Sequence, residues 1–157
     1  MYLVHLFLIA LLGAAAIRIG AGPERWSVGI VAGVFLLDLV YHMIFGLAQF
    51  DGGFDTWHAA LDGATLVAMV LVAVKANRMY TLWIAAFQLN AVLAHGANLL
   101  LPDVSGLTYF TMYSAPINFQ IAVLALGLAW HWRRSRKFGT YRSWARPWPR
   151  GDAALPT

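Results

Sequence analysis

Apolar residues run through the chain in five segments that are each long enough to cross a membrane. A membrane-spanning helix needs about 20 predominantly apolar residues. The segments that meet this length are residues 2–20, 27–49, 56–75, 79–101 and 108–132. Short stretches containing Gly, Pro, Asp and Asn, the residues typical of turns, separate them. The pattern predicts an all-α fold, a polytopic transmembrane bundle of five helices within residues 1–132.

The composition supports this interpretation. Of the 157 residues, 61% are hydrophobic and only 11% are charged, whereas soluble domains carry roughly 25% charged residues. The chain contains no cysteine, which excludes disulfides, thiolate metal ligands and cysteine nucleophiles. The apolar N-terminal run has no basic residues before it, so we interpret it as the first helix rather than as a signal peptide.

The charged residues predict the orientation of the bundle. Basic residues flank the first and third connections and fill the tail, residues 133–157, whereas the second and fourth connections contain Asp51, Asp55 and Asp103. Because basic flanks stay in the cytoplasm, we expect the N-terminus outside, the C-terminus and tail in the cytoplasm, and an odd number of crossings. The expected location is the bacterial inner membrane, as a multi-pass protein.

The net charge of +4 does not indicate a nucleic-acid partner. Most of the excess lies in the tail, directly after an apolar run. Basic residues in such a position face anionic lipid headgroups. The expected partners are the lipid bilayer and other membrane subunits.

Several ionisable residues fall inside the predicted helices, where each is costly unless it is paired. His5, His42, Asp62 and His95 come from four different helices. A rise of about 1.5 Å per residue places all four at a similar depth, in the outer half of the bundle. Polar neighbours recur at helical spacing on the same faces, so we expect these faces to meet inside the bundle.

This arrangement predicts a buried metal or haem site. Imidazole and carboxylate groups on separate helices can ligate one ion and leave positions open, so the expected ligands are His42, Asp62 and His95, with His5 as a fourth. The side chains expected to support these ligands are Asp38, His58, Asn98 and Asn118. The residues fit zinc, copper, iron or manganese without selecting among them.

Three alternatives remain open. A haem would use His42 and His95 as axial ligands. A proton pathway would use the same titratable groups, but the inner half of the bundle offers few groups to continue it. In a structural or accessory subunit of a larger membrane complex, the polar residues would only hold helices together. The sequence leaves open whether the protein is an enzyme.

Overall fold

The computed structural model describes residues 2–46, 56–101 and 105–145, and this part of the chain is helical. Its helices are α1 (Tyr2–Ile19), α2 (Gly22–Phe45), α3 (Thr56–Lys75), α4 (Met79–Leu100) and α5 (Gly106–Phe138). The predicted all-α fold with five helices is confirmed. Among the described residues, four helices are long and apolar enough to cross a membrane, namely α1, α2, α3 and α5.

Helix α4 is not among these four, and it carries several amide and imidazole side chains. Gln88, His95 and Asn98 are all buried in the folded protein. Their burial follows from the position of α4, which packs against both α3 and α5. These three polar side chains are therefore enclosed by the bundle, whereas Asn90 is exposed.

The helices form a closed ring. Each packs against the next along the chain, α1 closes the ring against α5, and α2 also contacts α5. The core consists mainly of aliphatic side chains such as Val31, Ile84 and Leu124. Large apolar side chains such as Leu3 and Phe7 are exposed on the outside, which suits a surface in contact with lipid.

The short connections make successive helices antiparallel, so the bundle has two ends. We call the end where α1, α3 and α5 begin the histidine end, and the opposite end, where α2 and α4 begin, the arginine end. His58 at the start of α3 contacts Asp38 in the second half of α2 at the histidine end. Arg78, just before α4, contacts Glu24 at the start of α2 at the arginine end.

Helix α2 begins at Gly22, five residues before its predicted start at residue 27. Pro23 lies in the first turn, where proline is well tolerated because its missing N–H would have no helical partner. The Glu24 carboxylate accepts a hydrogen bond from the Ala21 N–H at 3.1 Å, which caps the helix start. The "GAGPER" stretch, interpreted from sequence as a connection, is therefore largely the first turn of α2.

Helix α5 continues to Phe138, six residues beyond its predicted end at residue 132. Nothing in residues 133–138 breaks a helix, and basic side chains near the C-terminus interact favourably with the helix dipole. The helix ends at Gly139, whose φ of +74° lies in the left-handed region that favours glycine.

The chain beyond α5 returns to the bundle. The Asn77 N–H donates to the Ser143 carbonyl at 3.1 Å, and the Ala145 N–H donates to the Lys75 carbonyl at 2.8 Å. The first part of the predicted tail is thus paired with the α3–α4 connection. Residues 146–157 of the tail lie outside the described residues, as do Asp51, Asp55 and Asp103.

Candidate metal centre

A cavity of about 200 Å³ opens at the histidine end, and all five helices contribute to its walls. Aliphatic and aromatic side chains such as Val31, Phe35 and Ile117 line much of it. Its polar lining consists of Tyr2, His5, Asp38, His42, His58, Asp62, Thr65, Gln88, Ser114, Asn118 and Gln120. Of the four residues predicted to share one depth, His5, His42 and Asp62 line this cavity, whereas His95 is outside its lining.

Asp38, His42 and His58, which we call the metal triad, meet at the boundary between α2 and α3. The His58 Nε2 lies 2.8 Å from the Asp38 Oδ1, and the His42 Nε2 lies 3.5 Å from the same oxygen. One ligand atom from each residue lies within 4.8 Å of the other two. Ligands held at about 2.0–2.2 Å from one metal ion are about 3.0–3.6 Å apart, so small adjustments would let the triad hold an ion.

The end of α2 fixes the orientation of the His42 ring. The His42 Nδ1 lies 3.1 Å from the Gly46 carbonyl oxygen. A carbonyl can only accept, so Nδ1 carries the proton, and in the neutral ring the lone pair is on Nε2. This nitrogen lies 3.5 Å from the Asp38 Oδ1, and two electron-rich atoms at this distance repel each other unless a cation or a proton lies between them.

Aromatic packing holds the two imidazoles in place. The rings of His42 and His58 stack with centroids 5.3 Å apart. Tyr41 packs edge-on against both rings and stacks on Trp57. His58 is buried, whereas the side chains of Asp38 and His42 remain 20% and 12% exposed. The triad is thus closed on the aromatic side and retains access from the cavity.

A second polar cluster joins α3, α4 and α5. The Asp62 Oδ2 accepts from the His95 Nε2 at 3.0 Å, and the Tyr109 hydroxyl lies 2.5 Å from the His95 Nδ1. The Gln88 amide donates to the Asp62 Oδ1 at 2.9 Å, and the Gln120 amide donates to the Gln88 Oε1 at 2.8 Å. We call these five residues the Asp62 cluster. Two of its donors, the His95 Nε2 and the Gln88 Nε2, converge on the Asp62 carboxylate.

The structure distributes the sequence-predicted ligands differently from the expected set. His42 belongs to the metal triad, but Asp62 and His95 pair with each other. His5 interacts with Asn118, its Nε2 lying 2.9 Å from the Asn118 Oδ1. Among the described residues, the group compact enough for one ion contains none of Asp62, His95 and His5.

The four residues expected to support the ligands also lie in different parts of the bundle. Asp38 and His58 occupy ligand positions in the metal triad. Asn98 is buried in α4, whereas Asn118 is exposed beside His5. Depth along a helix sets which residues share a layer, but the rotation of each helix decides which of them meet. His58 faces α2, whereas Asp62, one turn further along α3, faces α4.

Sequence reasoning did not identify the polar centre at the arginine end. Glu24 is almost fully buried, and its Oε1 lies 3.0 Å from the Arg78 Nε. The His131 Nδ1 lies 2.8 Å from the Tyr141 hydroxyl and 3.8 Å from the Glu24 Oε1. In the sequence, Glu24 falls in the connection between the first two predicted helices. The signal that could have placed it in a helix is Pro23 immediately before it.

Charges of opposite sign are separated between the two ends. Among the described residues, the acidic side chain at the arginine end is that of Glu24, and it forms an ion pair with Arg78. Asp38 and Asp62 lie at the histidine end. The basic residues of the described part are all at the arginine end: Arg18, Arg25, Lys75, Arg78, Arg133, Arg134, Arg136, Lys137 and Arg142.

The fold and the site define a helical bundle with candidate membrane spans and a His/Asp group able to hold a metal ion. Comparison of the chain with protein-family models, curated proteins and solved structures finds no match.

Proposed function

We propose that this is an integral membrane protein that binds one divalent transition-metal ion through Asp38, His42 and His58. The observation that carries the proposal is the orientation of His42. Its Nδ1 donates to Gly46, which leaves the lone pair on Nε2, 3.5 Å from a carboxylate oxygen. A metal ion between these atoms would turn an unfavourable contact into two coordinate bonds. Metal-binding histidines commonly donate their second ring nitrogen to a backbone carbonyl in this way.

The donor set narrows the choice of ion. Two imidazoles and one carboxylate, with positions left open, suit Zn²⁺ or Fe²⁺. The absence of cysteine makes a soft ion such as Cu⁺ a poorer match, and Mn²⁺ prefers more oxygen ligands. An ion bound here would supply a Lewis acid at one wall of the cavity.

A haem has less support than a single ion. An axial ligand needs one ring nitrogen for the iron. Both His95 nitrogens are engaged, one with Asp62 and the other with Tyr109. A haem held by His42 and His95 would have to break this buried network.

A structural role is the second candidate, and specific contacts favour it for part of the polar layer. The Asp62–His95–Tyr109 hydrogen bonds connect three helices, and the His5–Asn118 pair connects α1 to α5. Such bonds hold membrane helices together. They would serve an accessory subunit of a larger membrane complex, with other subunits as partners, as well as they would serve a metal protein.

The proposed location is the bacterial inner membrane, with five crossings, the N-terminus outside and the C-terminus in the cytoplasm. The collection of basic residues at one end supports it, because such residues remain cytoplasmic. Helix α4 has 22 residues, or about 33 Å, which is long enough to cross the hydrocarbon core. In this orientation the cavity lies in the outer half.

Metal analysis of the purified protein tests the proposal. The wild type should contain about one equivalent of Zn or Fe after growth in supplemented medium. His42→Ala and His58→Ala should each lose most of it, because removing a ligand typically weakens binding by orders of magnitude.

His5→Ala is the matched control, since His5 lines the same cavity but pairs with Asn118. His5→Ala and His95→Ala should retain the metal. If His95→Ala loses the ion while His58→Ala keeps it, the ligand set proposed here is wrong. If the wild type binds no metal at all, the structural role is favoured.

A further inference from the structure

The Asp62 carboxylate lines the same cavity as the metal triad without belonging to it. It lies one helical turn from His58 on α3. Two of its oxygen contacts come from donors on α4, the His95 Nε2 and the Gln88 Nε2. These donors fix the carboxylate in one orientation, and the cavity provides access to its remaining lone pairs.

Two carboxylates, Asp38 and Asp62, lie on the cavity walls, and each contacts an imidazole. An uncompensated charge within a membrane protein costs several kcal/mol. A divalent ion at the metal triad would add positive charge to this cavity and would bind Asp38. Asp62 would remain a carboxylate on the wall of the same cavity, outside the ligand set.

We propose that Asp62 accepts a proton from a water molecule bound to this ion, and that the cavity adds water to a small uncharged substrate. The proposal rests on the metal centre proposed above. The water loses one proton to Asp62, and the electrons of the broken O–H bond remain on the oxygen. That oxygen would form the new bond to the electrophilic carbon of a polarised double bond in the substrate, and the π electrons of that double bond would move to its second atom. The proton would then leave Asp62 for this second atom, so no oxidant or reductant is needed.

The rest of the Asp62 cluster would position this base. Tyr109 fixes the His95 ring by contact with Nδ1, so that Nε2 donates to Asp62. Gln120 orients Gln88 in the same way. The substrate class follows from the cavity itself. About 200 Å³ is less than the roughly 300 Å³ at which pockets for drug-sized ligands begin. The mostly apolar walls favour an uncharged molecule.

Cobalt substitution provides a test that does not require the substrate. Co²⁺ bound in place of Zn²⁺ gives visible absorption bands that change when a bound water loses its proton. In Asp62→Asn the midpoint of this change should move to lower pH by about one unit, because a nearby negative charge stabilises the protonated water. Asp62→Glu should retain a midpoint close to that of the wild type.

Other titratable groups at the cavity could influence the same midpoint, and the variants must leave them unchanged. They are Tyr2, His5, Asp38, His42 and His58, with His95 and Tyr109 behind Asp62. Thr65→Val is the matched control on α3, because Thr65 lines the cavity but bonds to the Leu61 carbonyl. This variant should leave the midpoint in place. Asp62→Ser gives a second neutral side chain if Asp62→Asn does not fold.

Each outcome decides between the two proposals. If the wild type binds no Co²⁺, the metal centre is wrong and the role of Asp62 is lost with it. If Co²⁺ binds and the midpoint is unchanged in the neutral variants, only the role of Asp62 is overturned. If the neutral variants bind less than half an equivalent of Co²⁺, Asp62 is a ligand rather than a base.

Discussion

The side chain of Arg78 reaches from the α3–α4 connection to Glu24 at the start of α2, where its Nε lies 3.0 Å from the Glu24 Oε1. Both side chains are more than 90% buried. Arg78 also donates to the Arg142 carbonyl. One guanidinium therefore connects the first turn of α2, the start of α4 and the segment that follows α5.

Arg78→Met is expected to lower the free energy of unfolding by about 3 kcal/mol, because it leaves the Glu24 carboxylate buried without its partner. Reversible unfolding in mixed micelles would measure the change. Arg133→Met is the matched control, since Arg133 is exposed, and it should change stability by less than about 0.5 kcal/mol. Equal small effects of both substitutions would contradict a stabilising role for this ion pair.

Gly127→Ala should destabilise the contact between α4 and α5. A Cβ at this position would lie 2.7 Å from the Cγ of Tyr80, and relieving such an overlap costs about 1–3 kcal/mol. The same unfolding measurement applies. Gly63→Ala on α3 meets open space and should be neutral or slightly stabilising. A Gly127→Ala protein as stable as the Gly63→Ala protein would exclude close packing at Tyr80.

Gly46→Ala is expected to weaken metal binding about tenfold, a typical loss when an interaction that orients a ligand is removed. Gly46 has a φ of +82°, which alanine adopts only with strain. The substitution should therefore displace the carbonyl that orients His42. Titration with Zn²⁺ by calorimetry would measure the dissociation constant. The matched control is Gly33→Ala within α2, because a Cβ at Gly33 meets open space. This variant should bind Zn²⁺ as tightly as the wild type does. A dissociation constant unaffected by Gly46→Ala would show that the turn does not orient the ligand.

Tyr109→Phe should reduce stability by about 1–3 kcal/mol, since it removes the hydroxyl that contacts the buried His95 Nδ1. Metal content should not change, because the metal triad is formed by α2 and α3. Unfolding and metal analysis on the same preparation would separate the two effects. Loss of the ion without loss of stability would mean that Tyr109 acts on the metal centre.

The absence of native cysteine allows the orientation to be tested with single cysteines. Ser105→Cys, at the histidine end before α5, should react with an impermeant maleimide added to intact cells. Lys137→Cys, at the arginine end of α5, should react only after the membrane is opened. The opposite labelling pattern would invert the proposed orientation, and labelling of both sites in intact cells would show that α5 does not cross the membrane.

The helices could be predicted from the sequence because apolar runs of membrane length have few alternative structures. Three helices were close to their predicted bounds, since each end of α1, α3 and α4 differs by one residue or less. Helix α2 ends at Phe45, four residues before its predicted end at residue 49. The start of α2 and the end of α5 were missed because a polar sequence can continue a helix outside the hydrocarbon. Pro23 in a first turn and the "RRSRK" stretch both allow this continuation.

The polar layer was predictable as a layer, but its pairings were not. Counting residues gives the height of His42, Asp62 and His95, and all three groups do lie at the histidine end. Which side chains meet depends on the rotation of each helix, and this rotation is set by packing around residues such as Ile84 and Leu124. Asp38 and His58, 20 residues apart, pair because α2 and α3 pack with these faces together.

The metal triad comes entirely from two consecutive helices, α2 and α3, whereas the Asp62 cluster requires α4 and α5 as well. During synthesis, all three ligands are in place before the last third of the chain leaves the ribosome. An ion captured at that stage would hold α2 against α3 in the unfinished protein, and the later helices would then assemble against a surface that is already rigid.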